Sequence, residues 1–186
     1  MKLLIMGPPG VGKGTQAKIL SKKLNIRHLS TGEILRGEIQ KNTKIGEVAK
    51  SYIDHGNLVP DDLILNIISE KISVQIQNKG YLLDGFPRTI PQATGFDKLL
   101  NKINHNLDFA INLTANEDEL IKRILERGKF SGRSDESVDI VKKRQKIYWA
   151  QTAPLIKYYQ YKNILKNING IGEVEEITKS ILEVIS

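Results

Sequence analysis

Apolar residues along this chain come in two rhythms. Short unbroken runs lie at residues 2–6, just before Gly7, at Tyr81-Leu82-Leu83-Asp84, and over residues 107–113 and 164–168. Runs of that length, bounded by turn residues, predict buried strands. Between them the apolar positions recur every three or four residues. Leu63, Ile64, Ile67, Ile68 and Ile72 fall on one face of a helix that follows Pro60-Asp61 and ends by Gly80. Further helices are predicted over residues 13–24, 45–55, 137–150 and 173–184, with Gly56 stopping the second and Pro154 breaking the third. Ser30-Thr31-Gly32-Glu33 and Thr89-x-x-Gln92 have capping-box spacing, so helices should open near Thr31 and Thr89; in the first, Ser30 and Glu33 can satisfy each other's backbone N–H groups. Asn116-x-x-Glu119 caps a helix running to about Arg127, where Gly128 stops it. Asp61-Asp62, after Pro60, reads as a helix cap rather than a pair of catalytic acids.

Strands thus alternate with helices of ten or more residues, the pattern of an α/β fold with a parallel sheet covered on both faces. Ligands of such sheets sit outside the carboxyl ends of the strands. The loops after Met6 and after Asp84 are therefore where chemistry is expected.

Length and composition narrow this picture. At 186 residues, with no internal repeat or linker, the chain is one domain. It contains no cysteine, which excludes disulfides, thiolate metal sites and a cysteine nucleophile. No run of about 18 apolar residues exists and the first apolar run is too short for a signal segment, so a cytoplasmic protein is expected. The net charge is +7, but the 21 lysines are scattered. Specific arginines around a small anionic ligand explain the charge better than nucleic acid does.

Gly7-Pro8-Pro9-Gly10-Val11-Gly12-Lys13 has the form G-x-x-x-x-G-K, between a predicted strand and a predicted helix. Glycines there let successive backbone N–H groups turn inward, the helix N-terminus adds partial positive charge, and Lys13 adds a full one. The segment should cradle a polyphosphate. The strict pattern places Ser or Thr directly after the lysine; here Gly14 stands there and Thr15 follows, so the usual magnesium-binding hydroxyl is absent or shifted by one.

Asp84-Gly85-Phe86-Pro87-Arg88-Thr89 closes another predicted strand. Its carboxylate can face Mg²⁺ through water, in the manner of that ion, and Arg88 can clamp a phosphate with two parallel hydrogen bonds.

The Gly12-Lys13-Gly14-Thr15 variant resembles the nucleoside monophosphate kinases, and with the Asp84–Thr89 segment the chain resembles the adenylate kinase family nearly end to end. The resemblance implies a P-loop three-layer fold, with a small helical insert for the monophosphate at residues 30–59 and a short lid at residues 127–137. It implies ATP phosphates on Gly10, Val11, Gly12, Lys13, Gly14 and Thr15. It implies AMP against Thr31, Arg36, the backbone of Asn57, Leu58 and Val59, the segment Gly85, Phe86, Pro87 and Arg88, and Gln92 at the adenine edge. Arg127 would bind ATP phosphates, Arg133 and Arg144 would reach across to AMP, Arg123 would stack on the ATP adenine, and Gly172 would touch that base through its backbone. Gly128 and Gly132 would let the lid bend. The implied reaction is MgATP plus AMP to two ADP in a monomer, with Lys13, Arg88, Arg127, Arg133 and Arg144 as the catalytic charges. Some relatives carry a longer lid with four zinc-binding cysteines; with no cysteine here, zinc is not expected.

Arginine usage points the same way. Lysine outnumbers arginine 21 to seven, and six of the seven arginines (all but Arg27) lie in the segments just named. His28, His55 and His105 lack metal spacing and are expected to be structural or exposed, and Trp149 to pack in a core or groove. The nearest alternative is a UMP/CMP kinase of the same fold, against which Thr31 speaks. A GTP-dependent switch would need a guanine-reading Asn-Lys-x-Asp, which is absent. A nucleotide-binding module without activity would not need the full arginine set.

Overall fold

Leu3, Leu4, Ile5 and Met6 are each at most 3% exposed, so the first strand is covered on both faces. Such burial belongs to a strand inside a parallel sheet, and the computed structural model of the chain places it there. The structure describes all residues except 76–79, 132, 133 and 136, and all side chains except those of 73–75, 117 and 127–131 as well. Among the described residues five strands, β1 (Lys2–Met6), β2 (Arg27–Ser30), β3 (Tyr81–Asp84), β4 (Phe109–Thr114) and β5 (Leu165–Asn169), pair in parallel in the order β2-β3-β1-β4-β5. The helices are α1 (Lys13–Lys23), α2 (Thr31–Gln40), α3 (Lys44–Ile53), α4 (Asp61–Gln75), α5 (Ile90–Lys102), α6 (Glu117–Ser131), α7 (Val138–Ile147), α8 (Pro154–Tyr161) and α9 (Val174–Ile185). A π-turn, Tyr148–Thr152, joins α7 to α8.

Alternate residues of β1 feed two cores. Leu4 and Met6 join Leu83, Ile64, Ile68, Phe96 and Leu155 on one side, under α4, α5 and α8. Leu3 and Ile5 join Leu82, Ala17, Leu20, Ile177 and Ile181 on the other, under α1 and α9. In register, Asp84 lies opposite both Ile5 and Ser30, so β1, β2 and β3 end level. The loops after Met6, Ser30 and Asp84 open side by side on one edge of the sheet. No helix among the described residues is long and apolar enough to cross a membrane.

Four departures from the sequence expectation have physical reasons. β2 was not foreseen: Arg27-His28-Leu29-Ser30 is short and half polar, and its backbone bonds to β3 decide its state. α6 does not stop at Gly128 but runs to Ser131, since a helical glycine costs only about 1 kcal/mol. Pro154, read as a break, is also the first residue of α8, where its missing N–H does no harm. The capping boxes form by half. Ser30 Oγ accepts from the Glu33 N–H at 3.4 Å, while the Glu33 carboxylate turns to Lys18 at 2.8 Å. Asn116 Oδ1 accepts from the Glu119 N–H at 2.9 Å, while the Glu119 carboxylate takes Arg123.

Candidate active site

The loop after β1 turns through Gly10 and Gly12, at φ +88° and +97°, where a side chain would be strained. Gly12 is the N-cap of α1 and offers no side-chain cap to the first-turn N–H groups, and that turn carries no acid. A helix end of this kind, with its partial positive charge, suits an anion. Lys13 Nζ arches back over the loop and donates to the carbonyls of Gly7 (2.8 Å) and Pro8 (2.9 Å). Val11 is 2% exposed and packs in the core, so only its backbone can serve a ligand. Thr15 faces outward.

Asp84 ends β3 as a largely buried carboxylate beside this loop. Burial alone would raise its pKa; the His28 ring, Lys13 and Arg88 outweigh that and hold it below the ordinary carboxylate value. His28 Nε2 lies 3.5 Å from Asp84 Oδ2. His28, expected to be structural or exposed, is brought beside Asp84 by β2, the unforeseen strand. A Cβ on Gly14 would sit 3.5 Å from the same Oδ2, so the missing hydroxyl leaves the carboxylate uncovered on the α1 side.

The loop after β3 is braced from several directions. Phe86 is fully buried, its ring edge-on to Phe96 at 5.2 Å, so its side chain anchors the loop and leaves only backbone for a ligand. The Phe86–Pro87 peptide is cis. The carbonyl of Gly85 accepts from Thr31 Oγ1 at 2.9 Å and from Arg88 Nε at 2.8 Å. The Arg88 N–H donates to Gln92 Oε1 at 2.7 Å, and the Arg88 carbonyl accepts from Thr152 Oγ1 at 2.8 Å. Thr89 caps α5 by accepting the Gln92 N–H at 3.2 Å. Here too the box is half formed, because the Gln92 amide goes to Arg88 rather than back to Thr89.

One cleft between the sheet edge and the α2–α3 insert gathers these parts. Lys13, Arg36, Arg88 and Arg144 line it, with Asp135. Thr31, Leu35, Gly56, Asn57, Leu58, Val59, Ile64 and Gln92 line it as well. Burial, and then the charge of Arg144, lower the pKa of Arg88, while Asp84 and Asp135 oppose that drop. A multiply charged anion would relieve this crowding. Arg144 is paired with Asp135 Oδ2 at 2.8 Å and also donates to the Asp135 carbonyl at 3.1 Å.

Arg123 lies outside the cleft, on the other flank of the phosphate loop. It donates to the Gly170 carbonyl at 3.0 Å, and Gly170 packs so closely on the loop that a Cβ there would lie 2.7 Å from Val11 Cγ2. Gly172 is two residues further on, at φ +128°. Both residues expected near the ATP base therefore share one flank. The side chain of Arg127, and Gly132 and Arg133 entirely, lie outside the described residues.

Several site residues were not read from the sequence. Asp135, Tyr148 and Thr152 line the cleft, with burial pushing the Tyr148 phenol up to about 12. Gln145, 2% exposed, donates to the Pro9 carbonyl at 3.1 Å. Asp61 proves to be no simple cap: its Oδ1 accepts from Thr89 Oγ1 at 3.1 Å and from Gln92 Nε2 at 2.7 Å. The only sequence signal for Thr152 is its place just before Pro154, and none marks Asp135. Trp149, expected in a core or groove, is 53% exposed, with Tyr148 edge-on beside it. No group of three or more metal-ligating His, Cys, Asp or Glu side chains occurs among the described residues.

Against known proteins, a family model described as adenylate kinase matches residues 5–164. An adenylate kinase of Parabacteroides distasonis is 44% identical over 186 residues, covering all of this chain and 98% of that protein. One from Porphyromonas gingivalis is 43% identical over 185 residues, covering all of this chain and 95% of that protein. One from Methanocella arvoryzae is 41% identical over 208 residues, covering 97% and 96%.

Proposed function

The chain belongs to the adenylate kinase family, and on that premise we propose how its own residues divide the work of moving the terminal phosphoryl group of ATP to AMP, giving two ADP. The ATP phosphates lie along the backbone of residues 10–15 and on Lys13. AMP lies in the cleft, its phosphate against Arg36, Arg88 and Arg144 and its base against Thr31, the backbone of residues 57–59 and Gln92. An oxygen of the AMP phosphate attacks the γ-phosphorus in line, and the β–γ bridging oxygen leaves with ADP. No side chain acts as nucleophile; positioning and fixed positive charge lower the barrier. Arg127 and Arg133 complete the charge set from the lid at residues 127–137, and the insert at residues 30–59 carries the AMP side.

Adenylate kinases use Mg²⁺ with ATP. Asp84 fits that ion: a hard oxygen donor, held in its charged form and left uncovered by Gly14. Asp84 would hold the ion, which would supply neutralisation of phosphate charge when bound with ATP; with no cysteine in the chain, no role is proposed for zinc. The protein is a cytoplasmic monomer in this reading.

What carries the reading is that Lys13 and three of the arginines line one cleft together with the apolar Leu35, Leu58, Val59 and Ile64. The test is a coupled assay of ADP formation with ATP, magnesium and AMP, CMP or UMP as acceptor. AMP is expected to be preferred by at least about a hundredfold in kcat/KM, on the order of two lost base contacts. A preference for either pyrimidine overturns the assignment of the base site.

A further inference from the structure

Gln92 poses a problem of recognition. A carboxamide offers a donor and an acceptor side by side. The N1–N6 edge of adenine offers an acceptor and a donor. The same edge of a 6-oxopurine offers them in the opposite order, an N1–H and an O6. One amide can therefore pair with either base by turning over, and Gln92 alone distinguishes nothing.

Its neighbours do. Nε2 donates to Asp61 Oδ1 at 2.7 Å, and Oε1 accepts from the Arg88 N–H at 2.7 Å. A carboxylate can only accept and a backbone N–H can only donate, so a turned amide would face two like partners and lose both bonds. Gln92 is 2% exposed, so water cannot repair that loss. Asp61 is itself fixed. It opens α4, and the same Oδ1 takes the Thr89 hydroxyl at 3.1 Å, whose oxygen accepts the Gln92 N–H at 3.2 Å. The ring of three residues closes on itself. These bonds leave Gln92 one N–H and one lone pair for a base, in a fixed order. Gln92 lines the cleft and Asp61 does not.

We infer that Asp61 is a specificity-determining positioning residue: by fixing the direction of the Gln92 amide it makes the acceptor site select a 6-aminopurine over a 6-oxopurine. This rests on the reading that the AMP base lies against Gln92.

The experiment is the ratio of kcat/KM for AMP over IMP, with ATP as donor, in the full chain. A ratio does not depend on how much of a variant is folded. Asp61→Leu is expected to lower it about tenfold, the worth of one hydrogen bond. Asp61→Asn, which still offers an acceptor to Nε2, should stay within about threefold of the parent. Two outcomes overturn the inference: Asp61→Leu weakening both acceptors equally, or Asp61→Asn losing as much as Asp61→Leu. Gln92→Leu separates the two readings. It should collapse the ratio; if it leaves the ratio intact, the base is not read at Gln92, and the placement of AMP fails rather than the lock alone.

Discussion

The loops after β1 and β3 are built alike and equipped oppositely. Each follows a buried strand and leads into a helix on the same edge of the sheet. At the first, the helix is capped by Gly12, which gives its N–H groups nothing. At the second, Thr89 takes the Gln92 N–H and Gln92 takes the Arg88 N–H, so two backbone donors of that turn are occupied within the protein. In the proposed reading the first loop binds phosphate with main chain and the second with the Arg88 guanidinium. The residue at the N-cap tells the two apart: glycine leaves a helix end for a ligand, threonine closes it.

Lys13→Met is expected to have the largest effect, about a thousandfold in kcat, by removing the one full charge of the main-chain loop. Circular dichroism should show the fold retained. A variant within tenfold of the parent would mean the main chain alone suffices. Arg88→Ala should cost on the order of several hundredfold, with the loss in the AMP dependence of the rate rather than that of ATP. Were the ATP dependence to shift instead, the two loops would not divide the nucleotides as drawn. Thr89→Ala should act mainly on stability, by about 1 kcal/mol for a lost cap, or about 3 °C in Tm for a chain of this size. A thermal melt that does not move would show that this turn has no need of its side-chain cap.

Legibility in the sequence followed the same divide. Gly7–Lys13 and Asp84–Arg88 are contiguous, and each shows its chemistry over a few adjacent residues. The cap halves of Ser30, Thr89 and Asn116 were equally local and formed. Their reciprocal halves did not, because Glu33, Gln92 and Glu119 each found a different partner. For Glu33 it is Lys18, outside the box; for Glu119 it is Arg123, one turn on. What stayed hidden joins distant segments. His28 reaches Asp84 only because β2 pairs with β3, and Asp61 reaches Gln92 across 31 positions. Thr152 reaches Arg88 across 64, from a π-turn no spacing rule announces. Such pairings are written in the packing of whole elements, not in any window of the chain.

The bond from Gln145 to the carbonyl of Pro9 has a mechanical corollary. Gln145 is the next residue after Arg144 on α7, and neighbours on a helix turn as one body. One grips the rim of the donor's cradle while the other reaches toward the acceptor's phosphate. Rotating α7 would drag both together, so in the proposed reading donor and acceptor would be aligned by a single lever rather than by two independent adjustments.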